Sequence, residues 1–494
     1  MKKEITLEEI QSFKGKYPRQ LWYLFAIEMW ERFCFYGMRG MLAVFMVSQL
    51  MMPDDVANLQ YGATQAFVYA FTFIGGLFAD KILGFRKSLV WGGLLMITGS
   101  LILAFDPKTF FFIGISFTII GTGFFKPNIS TMVGALYPAG DSRRDAGFSL
   151  FYSGINIGAL LGGYICITVA KNYSWNLAFG FAAIVMTISL ITFLLTKKSF
   201  GPIGQSPLLD KKSPITRKWY EAAVYLGSLI VVPFIIIMVS KTEYTDYFMY
   251  TIGPATLIYL IYEMSKCGRD EVKKLMAAMV FIFFSILFWA FFEQSGGSLS
   301  LFAANNLDDK ILGITFDPNG VNNASNAFFV IVFAPLLGLL WVWLSKRKAE
   351  PNTVVKFGLG FLFLALSFYV FYFTRFFANA QGMTSLEIFT LAYLIITFGE
   401  LCLSPIGLSI MTKLSPARLQ GVMMGMWFLA SAYGQYVAGI LGAGMSSPKE
   451  NASLMDKLMS YTAGYQQLAI YALIAGVILI AISPWVKKLM QDVK

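Results

Sequence analysis

Apolar runs of about 20 residues or more recur from one end of the 494-residue chain to the other, and they exclude most folds. In hydrocarbon every backbone N–H and C=O must be satisfied within a helix or a closed barrel. A spanning helix needs about 20 residues, whereas a spanning strand needs only about ten and alternates with period two. Long runs without alternation therefore predict an all-α polytopic membrane protein. Charged residues form 14% of the chain, against roughly 25% in soluble domains. Residues 1–20 are polar and charged, so no cleavable signal peptide is expected there.

The runs predict 14 transmembrane helices, near 20–50, 58–80, 87–105, 109–136, 146–170, 175–197, 217–240, 246–266, 272–303, 324–346, 354–375, 386–412, 418–445 and 461–488. Six precede the Gly/Pro/Ser-bearing stretch 199–214 and six follow Lys274, with two between. The expected organisation is an N-terminal six-helix bundle (1–198), a linker with an inserted transmembrane hairpin (199–270) and a C-terminal six-helix bundle (271–494). Secondary transporters are commonly paired halves of this kind, with the substrate near the midplane.

The net charge of +11 does not indicate nucleic-acid binding, because the bases fall in alternate loops: Lys14, Lys16 and Arg19; Lys81, Arg86 and Lys87; Lys197, Lys198, Lys211 and Lys212; Lys346, Arg347 and Lys348; Lys487 and Lys488. Intervening loops carry Asp54, Asp55, Asp308, Asp309 and Asp317 instead. This asymmetry predicts both termini in the cytoplasm of a multi-pass cell (inner) membrane protein. The four cysteines have no paired spacing and there is no histidine. No metal or cofactor is expected, and any proton handling has to use carboxylates.

The first apolar run carries Glu28, Glu31, Arg32 and Arg39. A charge at the centre of a membrane helix costs roughly 2.5–3.5 kcal/mol on insertion scales, so such residues usually line an interior path. At 100° per residue Glu28, Arg32, Tyr36 and Arg39 share one stripe, with Glu31 beside it. Further polar positions lie deep in other runs: Lys126 before Pro127, Asn156 among Gly154, Gly158 and Gly162, Glu293 one turn after Trp289, Asn326 expected to open a helix, and Glu400 before Pro405. Trp427, Ser431 and Gln435 form a stripe at i, i+4, i+8. The glycines are expected to serve close helix packing.

Counting 1.5 Å per residue puts Arg39 roughly 26 Å from the start of its helix and Glu293 roughly 29 Å from Lys274, both at an outer level. The same count puts Lys126 and Glu400 about 26 and 20 Å from the outer ends of theirs, at an inner level. Arg39–Glu293 and Lys126–Glu400 are thus expected to bridge the halves as alternate gates. Glu28, Glu31, Glu293 and Glu400 outnumber Arg32, Arg39 and Lys126 by one charge, which a bound proton would neutralise. A positive set in one half and an acid in the other suits a short zwitterion; a dipeptide is about 7 Å long and a tripeptide about 10 Å. An enzyme is not expected, since no nucleophile–base pair, metal cluster or phosphate loop is visible.

Two resemblances follow. Gly76-Leu77-Phe78-Ala79-Asp80-Lys81-Ile82-Leu83-Gly84-Phe85-Arg86 resembles the loop between the second and third helices of the major facilitator superfamily, where a short turn at Gly84 and an Asp able to pair with bases and cap helix ends are expected. Glu28-x-x-Glu31-Arg32-Phe33 and Phe151-Tyr152-x-x-Ile155-Asn156-x-Gly158 resemble signatures of the proton-dependent oligopeptide transporter (POT/PTR) family, and Lys126-Pro127-Asn128, Trp289–Gln294 and Gly399–Pro405 match further blocks. The resemblance covers nearly the whole chain and implies a major facilitator fold and proton-coupled import of di- and tripeptides by alternating access. It implies that Arg39, Lys126 and Tyr36 hold the peptide carboxylate, that Glu400, Asn156 and Asn326 hold its amino group, and that Tyr69 and Trp289 line side-chain pockets. Trp427 and Ser431 are added to the expected substrate-facing set from their stripe, with ordinary helix packing the alternative for Trp427. Glu28, Glu31, Arg32 and Glu293 would serve proton coupling and gating. The implied partners are peptides, protons and the lipid bilayer, with no nucleic acid and no obligate protein partner, and the proton gradient is the driving force. Phe35 stands where the family motif often has its first Tyr, and Phe292 where many bacterial members have a second acid before Glu293. Another cargo within the same family, such as nitrate or a peptide-like drug, is the alternative. If the two charge pairs are gates, cysteine pairs replacing Arg39/Glu293 and Lys126/Glu400 should crosslink in opposite conformational states; unchanged yields in both states would make them static bridges.

Overall fold

The structure, a computed structural model, describes residues 5–138, 140–209, 211–403, 407–447, 452–491 and 493. The chain is helical almost throughout: α1 (Leu7–Gln11), α2 (Arg19–Ser48), α3 (Asp54–Phe78), α4 (Phe85–Phe105), α5 (Phe111–Ala135), α6 (Arg143–Asn172), α7 (Trp175–Thr196), α8 (Pro214–Ile230), α9 (Val232–Ser240), α10 (Thr242–Met264), α11 (Arg269–Phe292), α12 (Ser298–Asn306), α13 (Pro318–Lys346), α14 (Thr353–Phe373), α15 (Leu386–Leu403), α16 (Gly407–Leu414), α17 (Gln420–Met445) and α18 (Leu454–Met490). Strands β1 (Lys310–Ile311) and β2 (Ile314–Thr315) pair antiparallel, turning on Leu312 and Gly313 at positive φ, as a two-residue hairpin of primed type requires.

Each predicted helix has a helical counterpart at its place in the chain. Among the described residues, ten helical segments are long and apolar enough to cross a membrane; α2, α5, α10 and α17 are not in that set. Large apolar side chains exposed along α7, α8 and α13, such as Leu195, Ile230 and Leu339, form a surface that water disfavours and lipid accepts.

Several boundaries differ from the sequence reading, each for a local reason. Helix α13 starts at Pro318 because Asp317 caps it, accepting from Gly320 N at 2.7 Å. Asn326 therefore sits two turns inside the helix instead of opening it. Helix α11 ends at Phe292, and Glu293–Gly296 forms one 3₁₀ turn before α12, so Glu293 stands at a helix break ahead of Gly296 and Gly297. Asp80 and Lys81 lie in a π-helical turn, Ala79–Leu83, continuing α3, and no salt bridge to Asp80 forms among the described residues. The residue that ties this corner is Arg86, donating from Nε to Ile203 O at 2.6 Å and from Nη2 to Gly201 O. Gly84 has φ +75°, and a Cβ there would lie 2.4 Å from Gln205 O. The predicted kink at Pro405, with Ser404, lies outside the described residues.

The chain forms two compact units. The first comprises the described residues of Met1–Met41 with Phe67–Ser240, the second Leu42–Ala66 with the described residues of Lys241–Lys494. The sequence reading set residues 199–270 apart and kept 42–66 with 1–198. In the compact units α8 and α9 join the first and α10 the second. The start of α3 is held in the second unit by Asp54, which accepts from Lys457 Nζ and Tyr461 Oη at 3.0 Å each, and by Asn58, which donates to Ser446 Oγ at 3.3 Å.

In the first unit the glycine strip of α6 positions α2. A Cβ on Gly158 would lie 2.1 Å from Met29 O and one on Gly162 2.2 Å from Phe33 O, so the backbones touch as small residues allow. In the second unit Gly360 and Gly399 bring α14 and α15 together in the same way. Gly158→Ala should lower stability by about 1–3 kcal/mol through overpacking, read as a fall in the melting temperature of the detergent-solubilised protein. Gly227→Ala, where nothing lies within 4 Å of the added carbon, should leave it unchanged.

Candidate functional site

In the first unit α2 turns Glu28 and Arg32 onto one face, four residues apart. Arg32 is 1% exposed, Glu31 0% and Glu28 2%. The Arg32 guanidinium lies between the two carboxylates. Its Nη2 donates to Glu31 Oε1 at 2.6 Å and its Nε also to Glu31 Oε2, a two-pronged contact. The same Nε lies 3.2 Å from Glu28 Oε1. Glu28 Oε2 is buried without a hydrogen-bond partner. Two acids share one base here, and a guanidinium stays protonated under all ordinary conditions, so only the carboxylates can exchange a proton. The Arg32 guanidinium also lies 5.0 Å from the Phe35 ring centroid, so the phenylalanine that departs from the family pattern packs against the cation.

Two turns further on, the Arg39 guanidinium lies 5.6 Å from the Tyr36 ring, and Tyr36 packs edge-on against Phe35 at 5.3 Å. On α5 the Lys126 ammonium stands 4.4 Å over the ring of Tyr69 from α3. It is also within electrostatic reach of Glu28 and Glu31. Pro127 would leave a carbonyl without a donor; next to it, Asn128 Nδ2 donates to Phe124 O at 2.7 Å. Asn156 is 7% exposed, and its Nδ2 donates to Tyr152 O at 2.9 Å within α6, so that donor serves its own helix.

The second unit joins two of the predicted residues directly. Asn326 Nδ2 on α13 donates to Glu400 Oε2 on α15 at 2.7 Å and lies 3.2 Å from Thr397 Oγ1. Glu400 is 8% exposed. Glu293, 4% exposed, follows a ring cluster in which Trp289 meets Phe288 and Phe292 edge-on, each at 5.4 Å. Phe292 thus contributes a ring to this cluster next to Glu293. Trp427 is 8% exposed, and Ser431 Oγ donates to Trp427 O at 3.3 Å along α17.

A buried polar network on α13 escaped the sequence reading. Asn319, Asn322, Asn323 and Asn326 recur at i, i+3, i+4, i+7, one helical face. Tyr393 Oη donates to Asn322 Oδ1 at 2.6 Å, Ser300 Oγ to Asn319 Oδ1 at 2.8 Å, and Asn322 Nδ2 to Ser295 O at 2.8 Å. The periodic asparagines were the available signal. A helix start at residue 324 leaves the first three outside the helix and hides the face, whereas α13 begins at Pro318.

The sequence profile of the POT family matches residues 86–487. The chain belongs to the POT family. It is 32% identical to the peptide transporter YePEPT of Yersinia enterocolitica subsp. palearctica, covering 96% of each protein. It is also 32% identical to the di-/tripeptide transporter of Lactococcus lactis subsp. lactis, covering 98% of each. Among solved structures, the peptide transporter POT in complex with sulfate is similar with a TM-score of 0.83 at 31% identity, over 99% of this chain and 100% of that one. A POT family transporter in complex with a thioalcohol-conjugated peptide is similar with a TM-score of 0.80 at 28% identity, over 97% and 100%. These likenesses establish a major facilitator architecture and a transporter family, not an enzyme family, for this multi-pass membrane protein.

Arg32→Ala should cost roughly 3–5 kcal/mol, because it leaves two buried carboxylates without their base. The thermal unfolding midpoint in detergent should fall well below that of Glu28→Gln, which removes a charge and keeps the shape.

Proposed function

We propose that the chain is a proton-coupled symporter that imports di- and tripeptides by alternating access. The observation that carries the reading is the division of charge. The first unit holds two bases deep in its helices, Arg39 and Lys126, each lying over a tyrosine ring. The second holds a buried carboxylate already gripping a neutral amide. A zwitterion needs cations for its carboxylate and an anion for its amine, and neither end can be left unpaired in a low-dielectric site. Arg39, Lys126 and Tyr36 take the peptide carboxylate. Glu400, with Asn326 and Asn156, takes the amino group. Tyr69, Trp289, Trp427 and Ser431 line the side-chain space, where aromatic faces accept many shapes without demanding one. The relatives named as peptide transporters support the same substrate class.

Glu28, Glu31, Arg32 and Glu293 are the coupling and gating set. The unpartnered Glu28 Oε2 is the position where a proton adds without breaking an existing hydrogen bond. Protonating Glu28 leaves Arg32 paired with Glu31 alone and makes the triad neutral. A neutral triad crosses between conformational states at lower electrostatic cost than one carrying a net charge. The proton gradient supplies the driving force, in a cell membrane with both chain termini on the cytoplasmic side.

Purified protein in liposomes, given an inward proton gradient, should accumulate labelled dialanine, and an uncoupler should abolish the accumulation. Glu28→Gln and Glu31→Gln should lose gradient-driven uptake by at least tenfold while keeping counterflow exchange of dialanine. No accumulation by the wild type, or uptake indifferent to the uncoupler, would contradict the proposal.

A further inference from the structure

A cavity of about 620 Å³ opens in the first unit, at the corner tied by Arg86 and apart from the proposed transport residues. It lies where the start of α4, the end of α7, the stretch 204–209 and the start of α8 meet. Its chemistry is divided. Arg86, Lys87, Lys197 and Arg217 supply its charge, and Val90, Trp91, Leu94, Phe193, Leu194 and Leu209 most of its apolar wall.

The positive charge is only partly spent. Glu221 is the carboxylate in contact with this group among the described residues, 2.5 Å from Lys87 Nζ and 3.7 Å from Arg217 Nε. Four bases against one acid leave a strong local excess. Arg86 directs its guanidinium to the carbonyls of Ile203 and Gly201, which hold it in place without neutralising it. Arg217 Nε is shielded from solvent and makes no hydrogen bond. Lys197 is exposed at the mouth.

The apolar wall is equally specific. Trp91 is fixed by its indole N–H, which donates to Ser228 Oγ at 3.0 Å, and its ring lies 4.8 Å from that of Tyr225. Leu94, Leu194 and Leu209 are 44%, 38% and 44% exposed, so the wall runs out onto the apolar sides of α4 and α7. A water-soluble anion has no use for such an exit. An amphiphile does: its phosphate sits among the bases and its chains leave along the leucines.

We infer that this cavity is a binding site for an anionic phospholipid of the leaflet on the side of the basic loops. The headgroup phosphate lies among Lys197, Arg217 and Arg86, the glycerol against Trp91, and the acyl chains along Leu94 and Leu194. Basic hollows between helices at this membrane level are the usual recognition chemistry for acidic headgroups. The inference rests on the membrane embedding and orientation proposed above and not on the cargo.

The test is native mass spectrometry of the detergent-released full-length protein, titrated with phosphatidylglycerol and with phosphatidylcholine of the same chains. Wild type should retain one phosphatidylglycerol in preference to phosphatidylcholine. Lys197→Gln should weaken that binding about fivefold, the scale expected for one base near a headgroup, whereas Lys197→Arg should keep it. Leu94→Trp, which fills the wall without touching a charge, should also block it. Equal retention of the two lipids, no change in Lys197→Gln, or complete displacement of phosphatidylglycerol by millimolar inorganic phosphate would overturn the inference. Lipid retention is read without transport, so loss of this site and loss of peptide uptake are separate results.

Discussion

One guanidinium between two carboxylates governs the rest of this molecule. Arg32 is fully enclosed, and an enclosed cation is tolerated only when it is paired and hydrogen-bonded. Glu31 supplies both oxygens to it and Glu28 supplies one. The arrangement leaves a charge imbalance of one and an unused carboxylate oxygen. An evenly matched pair gains a net charge on taking up a proton, whereas these three groups, with a net charge of minus one, become neutral. The interaction that permits a charge inside an apolar helix is therefore also the one on which the proposed response to protons rests.

The surrounding packing keeps that triad in register. Gly158 and Gly162 allow α6 to lie against the backbone of α2 at Met29 and Phe33, on either side of Arg32. The same helix carries Tyr36 and Arg39 two turns later. A shift of α2 that follows a change at Glu28 therefore also moves Arg39, the base proposed above to hold the peptide carboxylate. In the second unit the asparagine face of α13 ends at Asn326, bonded to Glu400. The Asn326 amide, itself neutral, holds this acid in place.

The fold class, the family and the place of every long helix were legible in the sequence, because hydrocarbon imposes length and continuity on each span. Charges in apolar runs identified Glu28, Glu31, Arg32, Arg39, Lys126, Glu293 and Glu400 as residues needing an explanation. Finer features were not legible. The start of α13 depends on a capping contact at Asp317, and missing it concealed the asparagine face. Glu293 reads as mid-helix until the Gly296-Gly297 break is seen. The role expected of Asp80 falls to Arg86, because a π-helical turn extends α3 through the corner. Residues 42–66 join the second unit through tertiary pairs such as Asp54 with Lys457 and Tyr461, which no local pattern announces.

We propose that the odd-charged triad takes up its proton as the peptide binds. It is tested most directly by measuring proton uptake in weakly buffered detergent solution at neutral pH, with a pH-indicator dye, as dialanine is added. A net uptake that saturates with the peptide and disappears in Glu28→Gln is expected. Saturable peptide binding without any proton uptake, or uptake that persists unchanged in Glu28→Gln, would contradict it.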